Sequence, residues 1–208
     1  MILIGQFDSP FVRRVGVALR LYGRAFEHLP WSTFGDADRL SARNPLLRVP
    51  TLVLDDGTEL VDSHLILSHI DREIGAENAL WPGAEADRRA ALRVIGLAAG
   101  VSDKAIALFY EKVLHETPSQ PWVERCTAQI TGTLAVLEAE RAARAAPFLF
   151  GAAPTHADIM LGTMLTHLGE AHPGLAGMAA LPALARHGAA MQDVPEFRET
   201  YQVFIPPA

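Results

Sequence analysis

The sequence predicts a mixed α/β domain over residues 1–75, a linker over 76–84 and an all-helical domain over 85–208. Three observations carry this. Short apolar runs at Met1–Ile4, Phe26–Leu29 and Thr51–Leu54 alternate with helix-periodic stretches, as buried strands do. Asp56-Gly57 sits between two apolar runs, a hairpin signal whose two turn positions are expected at positive φ. From residue 84 onward Ala, Leu and Arg are in excess, and no convincing strand appears.

Taken in order, Met1–Ile4 is a first strand and Gly5–Asp8 a loop. Ser9-Pro10 then combines a hydroxyl N-cap with a proline at the first helical position. Val12, Val15, Leu19 and Tyr22 share one helix face, and Gly23 ends the helix. Phe26–Leu29 is the second strand, so the crossover between the two is expected to be parallel and right-handed. Trp31–Arg43 reads as a polar loop holding at most one helical turn. The hairpin Thr51–Leu54 and Glu59–Val61 follows, then a helix over Ser63–Ile74. Leu80-Trp81-Pro82-Gly83 breaks the helical pattern, and Trp81 is expected to plug the linker onto a domain. Helices are expected at Glu85–Leu114, Gln120–Ala145, Thr155–Glu170 and Pro182–Met191, with no pattern in the tail.

The stretch Asn44 to Ser63 concentrates the chemistry. Proline cannot donate to a ladder, so Val49-Pro50 belongs at a strand's start. A cis bond there would turn the chain and leave the Val49 N–H and C=O free for a bound extended peptide. The hairpin runs into Asp62-Ser63 at a helix N-terminus, where free N–H groups and the helix dipole favour anions.

Val-Pro, a hairpin and then Asp-Ser opening a helix resembles the glutathione site of the glutathione transferase superfamily. The opening Ser9-Pro10-Phe11-Val12-Arg13-Arg14 is similar to bacterial members. The resemblance runs from Met1 to about residue 170 and thins over the tail. It implies a thioredoxin-like N-terminal domain followed by an all-α C-terminal domain, the glutathione transferase fold. It also implies glutathione as co-substrate with no other cofactor, a small hydrophobic electrophile as second substrate, and a homodimer.

By this resemblance Ser9 is the catalytic position, its hydroxyl and the helix N–H groups stabilising a glutathione thiolate. Serine instead of cysteine argues against mixed-disulfide chemistry. Val49, with Pro50, pairs with the cysteinyl backbone. Asp62 accepts from the γ-glutamyl ammonium, and Ser63 donates to its carboxylate. Arg48, or more weakly Arg39, meets the glycyl carboxylate. One of Arg13 and Arg14 is expected near the thiolate and the other paired at the surface. Asp103 matches an acidic residue that reaches across a dimer in some relatives. Phe109, Tyr110 and Trp122 are candidates for the electrophile pocket. Each has a plain structural alternative: a helix cap for Ser9 and Asp62, solvated charge for the arginines and Asp103, core packing for the aromatics.

Thr155-x-x-Asp158 is a capping box variant, read as a folding determinant. The eight histidines show no ligand spacing, so no metal is expected, and the single Cys126 excludes a disulfide framework and a Cys-x-x-Cys pair. A net charge of −6 without a basic stripe argues against nucleic acid. No secretory leader and no run of eighteen apolar residues is seen, so a cytoplasmic protein without membrane association is expected. Two rivals share the scaffold: isomerases, dehalogenases or peroxidases that use glutathione, and non-catalytic regulatory modules. The Ser-Ser-x-Cys opening of maleylacetoacetate isomerases is absent, and a pure scaffold needs none of Ser9, Val49-Pro50 and Asp62-Ser63.

Overall fold

A computed structural model describes residues 1–175 and 180–206. The chain divides into two compact units, residues 1–80 with 194–208 and residues 81–193. The first contains β1 (Ile2–Ile4), α1 (Pro10–Leu21), β2 (Glu27–Leu29), α2 (Ala37–Ser41), β3 (Thr51–Val53), β4 (Glu59–Val61), α3 (Ser63–Ile74) and α8 (Pro195–Glu199). The second is helical: α4 (Glu85–Leu114), α5 (Gln120–Ala142), α6 (His156–Ala171) and α7 (Pro182–Gln192).

The four strands form one mixed sheet in the order β2-β1-β3-β4. β1 and β2 are parallel, joined by α1 as the crossover demands, and β3 is antiparallel to both its neighbours. Strand periodicity divides the side chains. Ile4 and Val53 lie on one face, closed by Leu40 of α2 and flanked by Ile2, Leu29, Trp31 and Val49. Leu3 and Leu52, opposite each other in register and fully buried, face the other way, where α1 and α3 pack. Each such side chain contributes about 1.5–3 kcal/mol by leaving water.

The hairpin turn departs from the expectation. Only Gly57 takes a positive φ, 86°; Asp56 does not. The Gly57 N–H donates to the Leu54 carbonyl at 3.0 Å, and the Leu54 N–H to Thr58 at 2.8 Å. This is a three-residue loop closed by a glycine bulge, in which only the last position needs the left-handed region. The Asp56 carboxylate accepts from the Thr58 N–H at 2.8 Å, and that bond holds its pKa low.

In the second unit α6 is buried almost all round and packs on α4 and α7. The capping box forms as expected. Asp158 Oδ2 accepts from the Thr155 N–H at 2.8 Å and its hydroxyl at 2.7 Å, while Oδ1 accepts from the Leu149 N–H at 2.7 Å. Glu138 closes the start of α7, taking the Ala183 and Leu184 N–H groups at 2.8 Å each. Trp81 belongs to this unit, edge-on to the His156 ring with the Arg88 guanidinium 4.4 Å from its centroid.

The tail is where the sequence boundaries need correction. Residues 194–206 belong with the first unit, not with the helical domain drawn over 85–208; positions 207 and 208 lie outside the described residues. The cause is α8. Its Phe197 is 1% exposed, and the Phe197 carbonyl accepts from Arg13 Nη2 at 2.8 Å.

Candidate functional site

The sheet register brings three separated segments to one end. Ile4 pairs with Thr51, and Thr51 with Val61, so these residues form one row across β1, β3 and β4. The chain leaves that row towards Ser9 after β1, enters it from Val49-Pro50 before β3, and leaves it at Asp62-Ser63 after β4.

Gly5 lets these segments close up. It sits at φ 127°, and a Cβ there would lie 2.6 Å from the Val12 side chain and 2.7 Å from Val49. The Val49-Pro50 bond is cis. The β3 ladder starts at Thr51, so the Val49 N–H and C=O stand outside it. Asn44, buried beneath, fixes the turn by donating from Nδ2 to the Arg48 carbonyl at 2.8 Å.

Ser9 is the N-cap of α1, half-buried, with its Oγ 3.5 Å from the Val12 N–H. That distance is the outer limit of a hydrogen bond, so the cap engages the hydroxyl weakly. Asp62 caps α3 more firmly, accepting from the His64 N–H at 2.8 Å and the Leu65 N–H at 3.4 Å. Both bonds fall on Oδ1, so the cap does not engage Oδ2. Asp62 holds φ 73°, a region unfavourable to side chains that aspartate tolerates better than most.

The expectation for Arg13 and Arg14 needs correction, because neither lies at the surface: both are 2% exposed. Arg13 turns to α8, its guanidinium 3.9 Å from the Phe197 ring centroid as well as bonded to the Phe197 carbonyl. Arg14 turns to the start of α3. Its Nη1 lies 3.4 Å from Ser63 Oγ, and 3.3 and 3.4 Å from the two ring nitrogens of His64. Burial pulls the Arg14 pKa down to about 10, with Asp62 and Asp71 acting against it, so the group stays charged at neutral pH. The His64 pKa is lowered, first by burial and then by Arg14.

The other candidates are more scattered. Arg48 is exposed, and Arg39 is exposed and pairs with Asp36 at 3.5 Å. Asp103 lies on the exposed side of α4. Phe109 and Tyr110 are half-buried, with ring centroids 6.3 Å apart. Trp122 has the Lys104 ammonium 5.3 Å from its ring. Cys126 is fully buried. Among the described residues no cluster of His, Cys, Asp and Glu could hold a metal, and no helix is long and apolar enough to cross a membrane.

His64 escaped the sequence reading because a histidine at the second position of a helix carries no spacing signal. Arg14 had one. The run Val12–Leu19 is apolar on every side of the two arginines, which marks a helix buried all round and any charge within it as partnered.

The sequence pattern described as "Glutathione S-transferase, N-terminal domain" matches residues 3–78, and "Glutathione S-transferase, C-terminal domain" matches residues 120–187. A glutathione S-transferase of Methylobacterium radiotolerans, solved in complex with glutathione sulfonate, superposes with a TM-score of 0.89 at 27% identity, covering 100% of this chain and 98% of that one. A glutathione transferase family member from Pseudomonas fluorescens Pf-5, solved with bound glutathione, gives 0.80 at 30% identity over 100% and 99%. Glutathione S-transferase U6 of Arabidopsis thaliana is 32% identical over 80 residues, 38% of this chain and 35% of that protein's length. The curated relatives are thus matched over only part of their length.

Proposed function

This chain belongs to the glutathione transferase superfamily, and from that premise we propose that it binds glutathione and activates its thiol for attack on a small hydrophobic electrophile. The observation that carries the reading is the row Ile4–Thr51–Val61, which sets the Ser9 loop, the Val49 edge and the Asp62-Ser63 helix start at one end of the sheet.

Glutathione is an extended tripeptide with an ammonium and a carboxylate at its γ-glutamyl end. Its cysteinyl backbone pairs with the N–H and C=O of Val49, which precedes β3 and stands outside the ladder. Asp62 Oδ2 accepts from the ammonium. The Ser63 hydroxyl and N–H donate to the carboxylate, which the start of α3 and the Arg14 charge behind it also favour. Arg48 meets the glycyl carboxylate from the exposed rim.

A free thiol has a pKa of about 8.5, so at neutral pH it is mostly protonated and unreactive. A hydroxyl donor at the α1 N-terminus stabilises the thiolate, and Ser9 supplies it. The thiolate then attacks the electrophile and displaces its leaving group or adds to its double bond. The protein contributes orientation and a lowered thiol pKa. Phe109 and Tyr110 are the helical unit's aromatic candidates for contact with the electrophile, and a homodimer lets Asp103 approach the partner's glutathione.

Calorimetric titration with glutathione, alongside Ser9→Ala and Asp62→Ala, tests the reading. Wild type binds saturably, Ser9→Ala binds but loses transfer activity, and Asp62→Ala loses binding. Absence of wild-type binding up to several millimolar overturns the reading.

A further inference from the structure

The tail reaches back to the loop that carries Ser9. The Phe7 N–H donates to Gln202 Oε1 at 2.9 Å, and the Ile205 N–H donates to Asp8 Oδ2 at 3.0 Å. These are the two residues immediately before Ser9. Beyond Ser9, the same tail is anchored by Arg13 on the Phe197 carbonyl and ring and by Arg20 with Glu199 at 2.8 Å. Phe197 and Thr200 are 1% and 0% exposed, so the anchor is core and the segment after it lies over the loop.

The Ser9 backbone is tied locally, its N–H donating to the Gln6 carbonyl at 3.2 Å and its carbonyl accepting from the Arg13 N–H at 3.0 Å, while its hydroxyl is held only weakly. Its own cap bond is at the 3.5 Å limit, and residues 5–8 have neither strand nor helix structure. The Phe7 ring is fixed on one side by stacking on His28, with centroids 3.9 Å apart. Gly16 admits that ring, since a Cβ there would meet it at 2.5 Å. The Phe7 backbone is fixed on the other side by Gln202. A hydroxyl that must meet a sulfur within hydrogen-bond reach depends on this loop not shifting, and a displacement of about 1 Å can cost a hundredfold in rate.

We infer that residues 197–205 are a positioning element for Ser9, with Gln202 acting through the Phe7 amide and Ile205 through the Asp8 carboxylate. This rests on Ser9 being the residue that activates the thiol.

Two variants test it. Gln202→Met keeps the side-chain length and removes the acceptor. A chain lacking 202–208 removes both loop bonds and leaves the Arg13–Phe197 anchor. Four quantities are read: exchange of the Phe7 amide hydrogen in the ligand-free protein, the pH midpoint of thiolate absorbance for bound glutathione, and kcat and KM with a generic aryl halide. The expected result for Gln202→Met is Phe7 exchange faster by about tenfold. The thiolate midpoint moves up, kcat falls about tenfold and KM for glutathione stays within about twofold. The shortened chain shows the same direction and a larger size, and melting of Gln202→Met moves by less than about 5 °C. Faster Phe7 exchange with unchanged midpoint and kcat overturns the inference, because the tail then only steadies the loop. So does a fall in glutathione binding without a change in midpoint. Wild type that binds no glutathione overturns the functional reading, and the inference with it. Wild type that binds and activates glutathione while both variants match it overturns the inference alone.

Discussion

Arg14 Nη1 lies 3.4 Å from the Ser63 hydroxyl, so a buried cation on α1 stands behind the first residue of α3. Its Nε is buried without a hydrogen-bond partner, and burying a cation with an unpaired donor is costly. Arg14→Met is therefore expected to fold with little loss of stability and to weaken glutathione binding by about fivefold or more, because a charge-assisted contribution disappears. Thermal melting and calorimetry on the same samples check both halves.

Asp62 combines two tasks that substitution can separate. Asn keeps Oδ1 for the His64 and Leu65 N–H groups and replaces Oδ2 by an amide that cannot accept from an ammonium. Asp62→Asn is expected to melt like wild type and to bind glutathione about tenfold more weakly. Asp62→Ala loses the cap as well, with about 1 kcal/mol of stability. Equal binding by the Asn variant and wild type would remove Asp62 from the ammonium site.

Asp158→Ala strands three donors in the core: the Leu149 N–H, the Thr155 N–H and the Thr155 hydroxyl. At about 1–3 kcal/mol for each buried group left unpaired, a loss of about 3 kcal/mol or more is expected in urea unfolding. Thr155→Val, which leaves Asp158 its two backbone donors, is expected to lose about 1 kcal/mol.

Acid is expected to destabilise the fold. Burial is the largest cause lowering the pKa of His28, His172 and His187; for His187 the Asp158 carboxylate opposes it and Arg141 adds to it. A histidine kept neutral in the folded state binds a proton more readily when unfolded, so unfolding takes up protons. The stability is complete above the ordinary histidine value, about 6.5, and falls as the pH drops below it. Melting temperatures measured between neutral pH and mildly acidic pH should decline, and His187→Gln should decline less steeply.

Most of the fold was legible because its signals are local. α3 and α4 start and stop where their sequence cues put them, at Ser63–Ile74 and Glu85–Leu114. The Thr155-x-x-Asp158 box and the hairpin strands were equally readable. α8 was not: it is held by Arg13 from 184 positions away, and a five-residue helix carries too short a period to reveal itself. The turn at Asp56-Gly57 was misjudged in type for a related reason. The dipeptide fits two loop lengths, and the pairing of Leu54 with Thr58 decides between them. In the candidate site, the cap at Ser9, the turn at Val49-Pro50 and the helix start at Asp62-Ser63 were readable because each has a local backbone requirement. The apolar run Val12–Leu19 signals that Arg13 and Arg14 are buried, but the partners they meet on α8 and α3 lie far along the chain, outside any window around the arginines.

The row Ile4–Thr51–Val61 has a consequence for how the proposed activity would be lost. Strand pairing has a period of two, so a slip of β3 by one residue would turn Leu52 out of the core and move Pro50 into the ladder, where it cannot donate. The same slip would carry Val49 away from Gly5 and draw Asp62 out of line with Ser9. The Val49 edge, the Asp62-Ser63 helix start and the Ser9 hydroxyl therefore share a single alignment. Partial activity should not survive a misregistered sheet, and recovered turnover after refolding would report β3 register directly.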